Sequence, residues 1–130
     1  MATHTVRLLI TLFCYFVLWS FLLPATEEKN YNQDTMKNPD RETVTRLDEL
    51  PNIGTAMSHD LQLIGINHPK MLIGKEPFEL YESLCARSGK RRDPCVIDIF
   101  MSVVHFMEGG EPLPWWSFTE KRKKQTSQNK

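Results

Sequence analysis

The sequence is short of cysteine: three in 130 residues, with no CxxC pair. Cys85 and Cys95 stand ten apart, and Cys14 lies in an apolar run. A disulfide framework and a zinc knuckle are thereby excluded, and reduced, buried thiols are expected. Net charge is missing too, since 16 lysines and arginines meet 16 aspartates and glutamates. No global basic field draws in nucleic acid, so any anion binding has to be local. The four histidines, His4, His59, His68 and His105, never fall at a ligand spacing with a cysteine or carboxylate. Cys85, Cys95 and His105 recur at intervals of ten, and only side-by-side packing of two helices would bring them together. Asp93 and Asp98 make no convincing acid pair, because Asp93 reads as a helix cap. No nucleophile has an evident base. The chain is therefore expected not to be an enzyme, and neither cofactor nor metal is expected.

What is present begins with an apolar run. Leu8 to Ala25 is eighteen residues without a charge, long enough for a bilayer and slightly long for a signal core. Arg7 before it and Glu27 and Glu28 after it favour an inside N-terminus if it inserts. The reading is an apolar N-terminal helix over 1–25: an anchor touching membrane through residues 8–25, a signal, or an extension upstream of a start at Met36. Residues 26–39 are polar, interrupted by Pro39, and read as linker. The folded domain is expected over 40–118, with a basic tail over 119–130. Unpaired cysteines at apolar positions place that domain on the reducing side, so a cytoplasmic location is expected, membrane-anchored if the run is genuine.

The stretch Leu47–Leu61, LDELPNIGTAMSHDL, organises the domain. Val44, Leu47 and Leu50 give a short helix that must stop before Pro51. Asn52 and Gly54 sit where left-handed backbone is cheap, and a second helix starts at Thr55. Ile53 would plug the turn into the core. Ala56, Met57, Leu61 and Ile64 form the buried side of a helix over Thr55–Leu63, ended by Gly65, with Ile66 folding back. The amides of its first turn lack intrahelical partners and carry the positive end of the helix dipole, a ready phosphate site.

Further on, Met71, Leu72 and Ile73 are expected to pack inward. Phe78, Tyr81, Leu84 and Cys85 mark a helix over 78–86. The connection Ser88–Arg92 is basic, with Lys90, Arg91 and Arg92 together. Asp93 caps and Pro94 opens a helix to Met107 whose wide apolar face makes it the central core helix. Trp115 and Trp116 either cover the core end or stack on bases, and one of them is expected to stay exposed. From Lys121 to Lys130 there are five basic residues and no acid.

These motifs resemble known ones. The Leu47–Leu61 hairpin is similar to the helix-hairpin-helix motif, with Asn52 in place of its first glycine. In order, LPNIGxAMxxDLxLxGI, PxxLxGxxPxxLYxxLC, RxDPCVxDxF and PWWxFTxxRK resemble the small bacterial helix-hairpin-helix proteins of the pathogenicity-locus Cdd1 type, also called mitomycin resistance proteins. The resemblance covers about Arg41 to Lys124. It implies an all-α fold of about five short helices and a DNA-binding role, and carries no catalytic assignment.

The expected function is non-catalytic, weak, sequence-independent DNA binding through Asn52, Gly54, Thr55, Ala56, Lys90, Arg91 and Arg92, with Trp115 and Trp116 as stacking candidates. Asp48, Glu49 and Asp60 flank the hairpin and would repel phosphates. The alternative is a protein-interaction or adaptor domain that keeps the hairpin as a structural turn.

Overall fold

The computed structural model describes residues 36–130. The apolar run 1–25, its reading as a helix, and the linker up to residue 35 lie outside the described residues. Four α-helices and no strand are present among those described: α1 (Thr55–Leu63), α2 (Pro77–Ser88), α3 (Cys95–Met107) and α4 (Thr119–Gln128). Short 3₁₀ turns at Leu47–Glu49, Pro69–Leu72 and Trp115–Phe118 join them.

Helix α3 is the hub. It packs against α2, α4 and two of the 3₁₀ turns. Val96, Ile97, Phe100, Val103, Val104, Phe106 and Met107 are all buried, so the apolar face is wide enough to be enclosed from several sides. Each such side chain contributes roughly 1.5–3 kcal/mol of transfer free energy. Both helix ends are tied. Asp93 accepts the Cys95 amide at 2.9 Å, as expected of a cap. At the other end Gly109 has φ 105°, and the Gly110 amide reaches back to the His105 carbonyl at 2.9 Å. Arg41 completes that end: its Nε donates to the Phe106 carbonyl at 2.6 Å and its Nη2 to the Gly110 carbonyl, with the guanidinium 4.6 Å above the Phe106 ring.

Helix α1 runs over the expected residues. Gly65 takes φ 87°, and the Ile66 amide bonds to the Leu61 carbonyl at 2.9 Å, with Ile66 buried behind the cap.

Four expectations are corrected by packing. The segment before the hairpin is not an α-helix but a 3₁₀ turn at Leu47–Glu49. It is too short to propagate, and Leu50 is extended (φ −69°, ψ 150°) ahead of Pro51. Met71 and Ile73 point outward, because in a 3₁₀ turn positions three apart eclipse, so Pro69 and Leu72 go in together. Ala56 faces solvent, and Ser58 is buried instead. The stretch 119–130, read as a tail, is helical from Thr119 to Gln128, forming α4.

What holds α4 is a carboxylate. Asp98 is wholly buried on α3. It accepts Thr119 Oγ1 at 2.8 Å and Arg122 Nε at 2.6 Å. Removing one partner of a buried ion pair strands the other, at about 3–5 kcal/mol. Arg122→Ala and Asp98→Ala are therefore each expected to lower unfolding free energy by about that amount in urea titration. The double replacement Asp98→Leu with Arg122→Leu should recover most of it. Equal loss in all three variants would mean that the pair does not anchor α4.

Candidate functional site

The hairpin turn is built on one left-handed residue. Among the described residues Asn52 is the non-glycine with positive φ, at 63°. With Pro51 before it and the Ile53 amide bonded to the Leu50 carbonyl at 3.2 Å, the turn has type II character. Ile53 is buried, as its expected plug role requires. The Asn52 side chain has a job that sequence reading missed. Its Nδ2 donates to Ser102 Oγ at 2.9 Å and to the Leu113 carbonyl at 2.8 Å, binding the hairpin to α3 and to the strap before Trp115. Lys37, read as linker, donates to the carbonyls of Asp48 at 2.6 Å and Ile53 at 2.7 Å.

Gly54 caps α1 with extended backbone, φ −105° and ψ −172°, which any residue can adopt. A Cβ there would meet nothing within 4 Å. The fold does not require this glycine, contrary to the left-handed geometry expected of it. Thr55 and Ala56 beside it are exposed, so the first-turn amides open onto solvent.

Two of the three acids around this turn are engaged, and Glu49 stays exposed. Arg46 holds Asp48 through two hydrogen bonds, at 2.6 and 3.0 Å, and that contact keeps the Asp48 carboxyl below its usual range. Arg92 is bonded to Asp60 on α1, both side chains mostly covered. Arg92 is thus a bridge between α1 and the α2–α3 connection, not an available phosphate ligand. The Tyr81 hydroxyl donates to its carbonyl and fixes it further. Its neighbours differ. Lys90 is exposed, and the exposed Arg91 lies 5.5 Å from the Tyr81 ring centroid and 3.6 Å from Glu82. The Arg92–Asp60 contact ties the connection that carries Lys90 and Arg91 to α1, roughly 7–8 Å along the helix from Thr55.

Trp115 is half-buried and Trp116 is 41% exposed, with their rings edge to face at 5.5 Å. The thiols are quiet. Burial, then the Asp93 carboxylate beside it, push the Cys95 thiol up to about 11. Cys85 Sγ accepts the Arg92 amide at 3.5 Å. Among the described residues no three His, Cys, Asp or Glu side chains gather to hold a metal ion, and no helix is long and apolar enough to cross a membrane.

The class defined by this geometry is a small helical domain without strands among the described residues. Over residues 40–124 the chain matches the Cdd1 family, described as a pathogenicity locus, and it belongs to that family. It is 40% identical over 78 residues to the Mitomycin resistance protein McrB of Streptomyces lavendulae, a match covering 60% of this chain and 74% of that one. No solved structure matches the chain.

Two glycines separate a structural role from an open surface. Gly54→Ala should cost less than about 1 kcal/mol, the penalty of a poorer cap residue. Gly110→Ala should cost about 1–3 kcal/mol, because its Cβ would fall 2.2 Å from His105 Nε2 and push that ring off Phe118. Thermal melts of both variants check the order, and a Gly54→Ala loss equal to that of Gly110→Ala would refute it. For Cys95, about one thiol in a thousand is ionised at pH 8 when the value is about 11, so alkylation should be slow until the domain unfolds. Rapid labelling of folded protein at pH 8 would contradict this.

Proposed function

We propose that this domain binds the DNA backbone without sequence preference and without catalysis, as a helix-hairpin-helix module whose first helix has shrunk to one 3₁₀ turn. One phosphate sits on the exposed amides of Thr55 and Ala56, behind Gly54. A second is met by Lys90 and Arg91. The observation that carries this reading is the pairing of charge. Arg46 and Arg92 offset Asp48 and Asp60, two of the three flanking acids, which lowers the repulsion a phosphate would meet at an otherwise open helix start. Lys90 and Arg91 remain exposed on the connection that Arg92 ties to α1. Such binding needs neither cofactor nor metal, and it requires the domain to face the chromosome, so the cytoplasmic side is part of the proposal. An anchoring role for residues 8–25 is compatible with it in the orientation that leaves the domain inside.

A second reading has its own observation. Leu63, Met71, Ile73 and Trp116 are large apolar side chains 46%, 41%, 52% and 41% exposed. An adaptor that binds protein through these side chains is the alternative.

The measurement is a titration against duplex and single-stranded DNA at two salt concentrations. Dissociation constants of roughly tens of micromolar are expected at about 50 mM salt, weakening steeply as salt rises. Lys90→Ala with Arg91→Ala should weaken binding evenly across sequences and lower the salt slope by about 2, with folding intact. Arg92→Ala is a poor probe, because it strands Asp60. No binding at about 50 mM salt would exclude the DNA reading and leave the adaptor.

A further inference from the structure

A groove of about 410 Å³ adjoins the Lys90–Arg91 turn, between α2, the start of α3 and the last turn of α4. That volume lies within the range of small-ligand sites, roughly 300–1,000 Å³. Its walls include Phe78 and Tyr81 from α2, with Pro94 and Ile97 at the opening of α3. Arg91 and Lys130 bring positive charge to it, and Glu82 is the one carboxylate in the lining. Arg122 also lines it, already bound to Asp98. The Arg91–Glu82 contact is long, 3.6 Å, and both side chains are well exposed. An exposed pair of this kind holds little energy, so Arg91 exchanges readily between Glu82 and an incoming anion.

We propose that this groove takes one unpaired nucleobase from DNA whose backbone crosses the Lys90–Arg91 turn. The proposal rests on the DNA reading above and names its substrate class: DNA in which a base is already out of the stack. The half-buried Phe78 ring offers an aromatic face for a base, with Tyr81 and Ile97 buried behind the groove, and the surrounding cations suit the phosphates on either side of it. Stacking tolerates any base, which agrees with contacts that read no sequence. Forcing a base out of an intact pair costs more than weak, local contacts on a neutral chain supply. A bulge, a frayed end or a gap removes most of that cost. Such DNA is therefore selected over perfect duplex.

The test uses the full chain at about 50 mM salt and two duplexes of equal length. One carries a single-nucleotide bulge of the fluorescent base 2-aminopurine, and the other is fully paired. The bulged duplex should bind about ten-fold tighter, inside the five- to hundred-fold range that base–aromatic stacking supplies, and its emission should change on binding. Thr126→Trp fills the groove from α4, at an exposed site outside the proposed phosphate contacts. Phe78→Leu keeps apolar volume but removes an aromatic face. Each should abolish most of the bulge preference and leave affinity for paired duplex within about two-fold. Equal binding of the two duplexes, or full preference retained by both variants, overturns the groove assignment while the DNA reading stands. Binding to neither duplex overturns the DNA reading, and this proposal with it. An acidic, aromatic-bearing peptide that binds more tightly than the bulged duplex and is lost in both variants would reassign the groove to a protein ligand and overturn the proposal.

Discussion

A carboxylate buried in the middle of the most apolar helix has to be answered, and much of the C-terminal half is arranged to answer it. Asp98 is enclosed on α3 and receives Thr119 and Arg122 from α4. The geometry demands that α4 start next to the Trp115–Phe118 turn and lie along α3, because two donors one helical turn apart must reach the same carboxylate. Phe118 is buried beside that contact, and His105 meets its ring edge to face at 5.4 Å. A strongly basic segment, which by composition alone would stay solvated, is thus held as an ordered helix. Lys121, Lys123 and Lys124 are carried on its exposed positions.

Charge pairing also decides which cations are left to act. Arg46, Arg92 and Arg122 are each spent on a specific carboxylate, and Arg41 on the carbonyl end of α3. The mostly covered Arg92–Asp60 pair joins α1 to the α2–α3 connection, so the two turns that carry exposed amides and exposed cations share one support. Because Asp48 and Asp60 are offset, the helix start behind Gly54 meets less repulsion than the count of nearby acids suggests.

The hairpin and the aromatic strap are coupled through Asn52. Its backbone takes the left-handed turn while its amide holds Ser102 and the Leu113 carbonyl. Glycine would satisfy the first demand and fail the second. The residue that weakens the likeness to a glycine-based hairpin is therefore the one that locks this hairpin to α3. It positions Trp115 and Trp116 on the segment that follows, one half-buried and one exposed.

The sequence by itself determined whatever depends on neighbours along the chain. Periodicity and capping placed α1 at Thr55–Leu63, and the Asp93 cap and the Gly65 and Ile66 terminus needed only local hydrogen bonds. The motifs in order were sufficient to indicate the family that residues 40–124 match. Tertiary structure decided what depends on partners far along the chain. Arg92 and Asp60 are 32 residues apart and Arg122 and Asp98 are 24 apart, so neither pairing leaves a spacing signal. Those pairings turn one expected phosphate ligand into a bridge and an expected tail into a docked helix. Met71 and Ile73 point outward for a related reason: apolar side chains go inside only where a surface faces them, and the eclipsed 3₁₀ turn offers that surface to Pro69 and Leu72 alone.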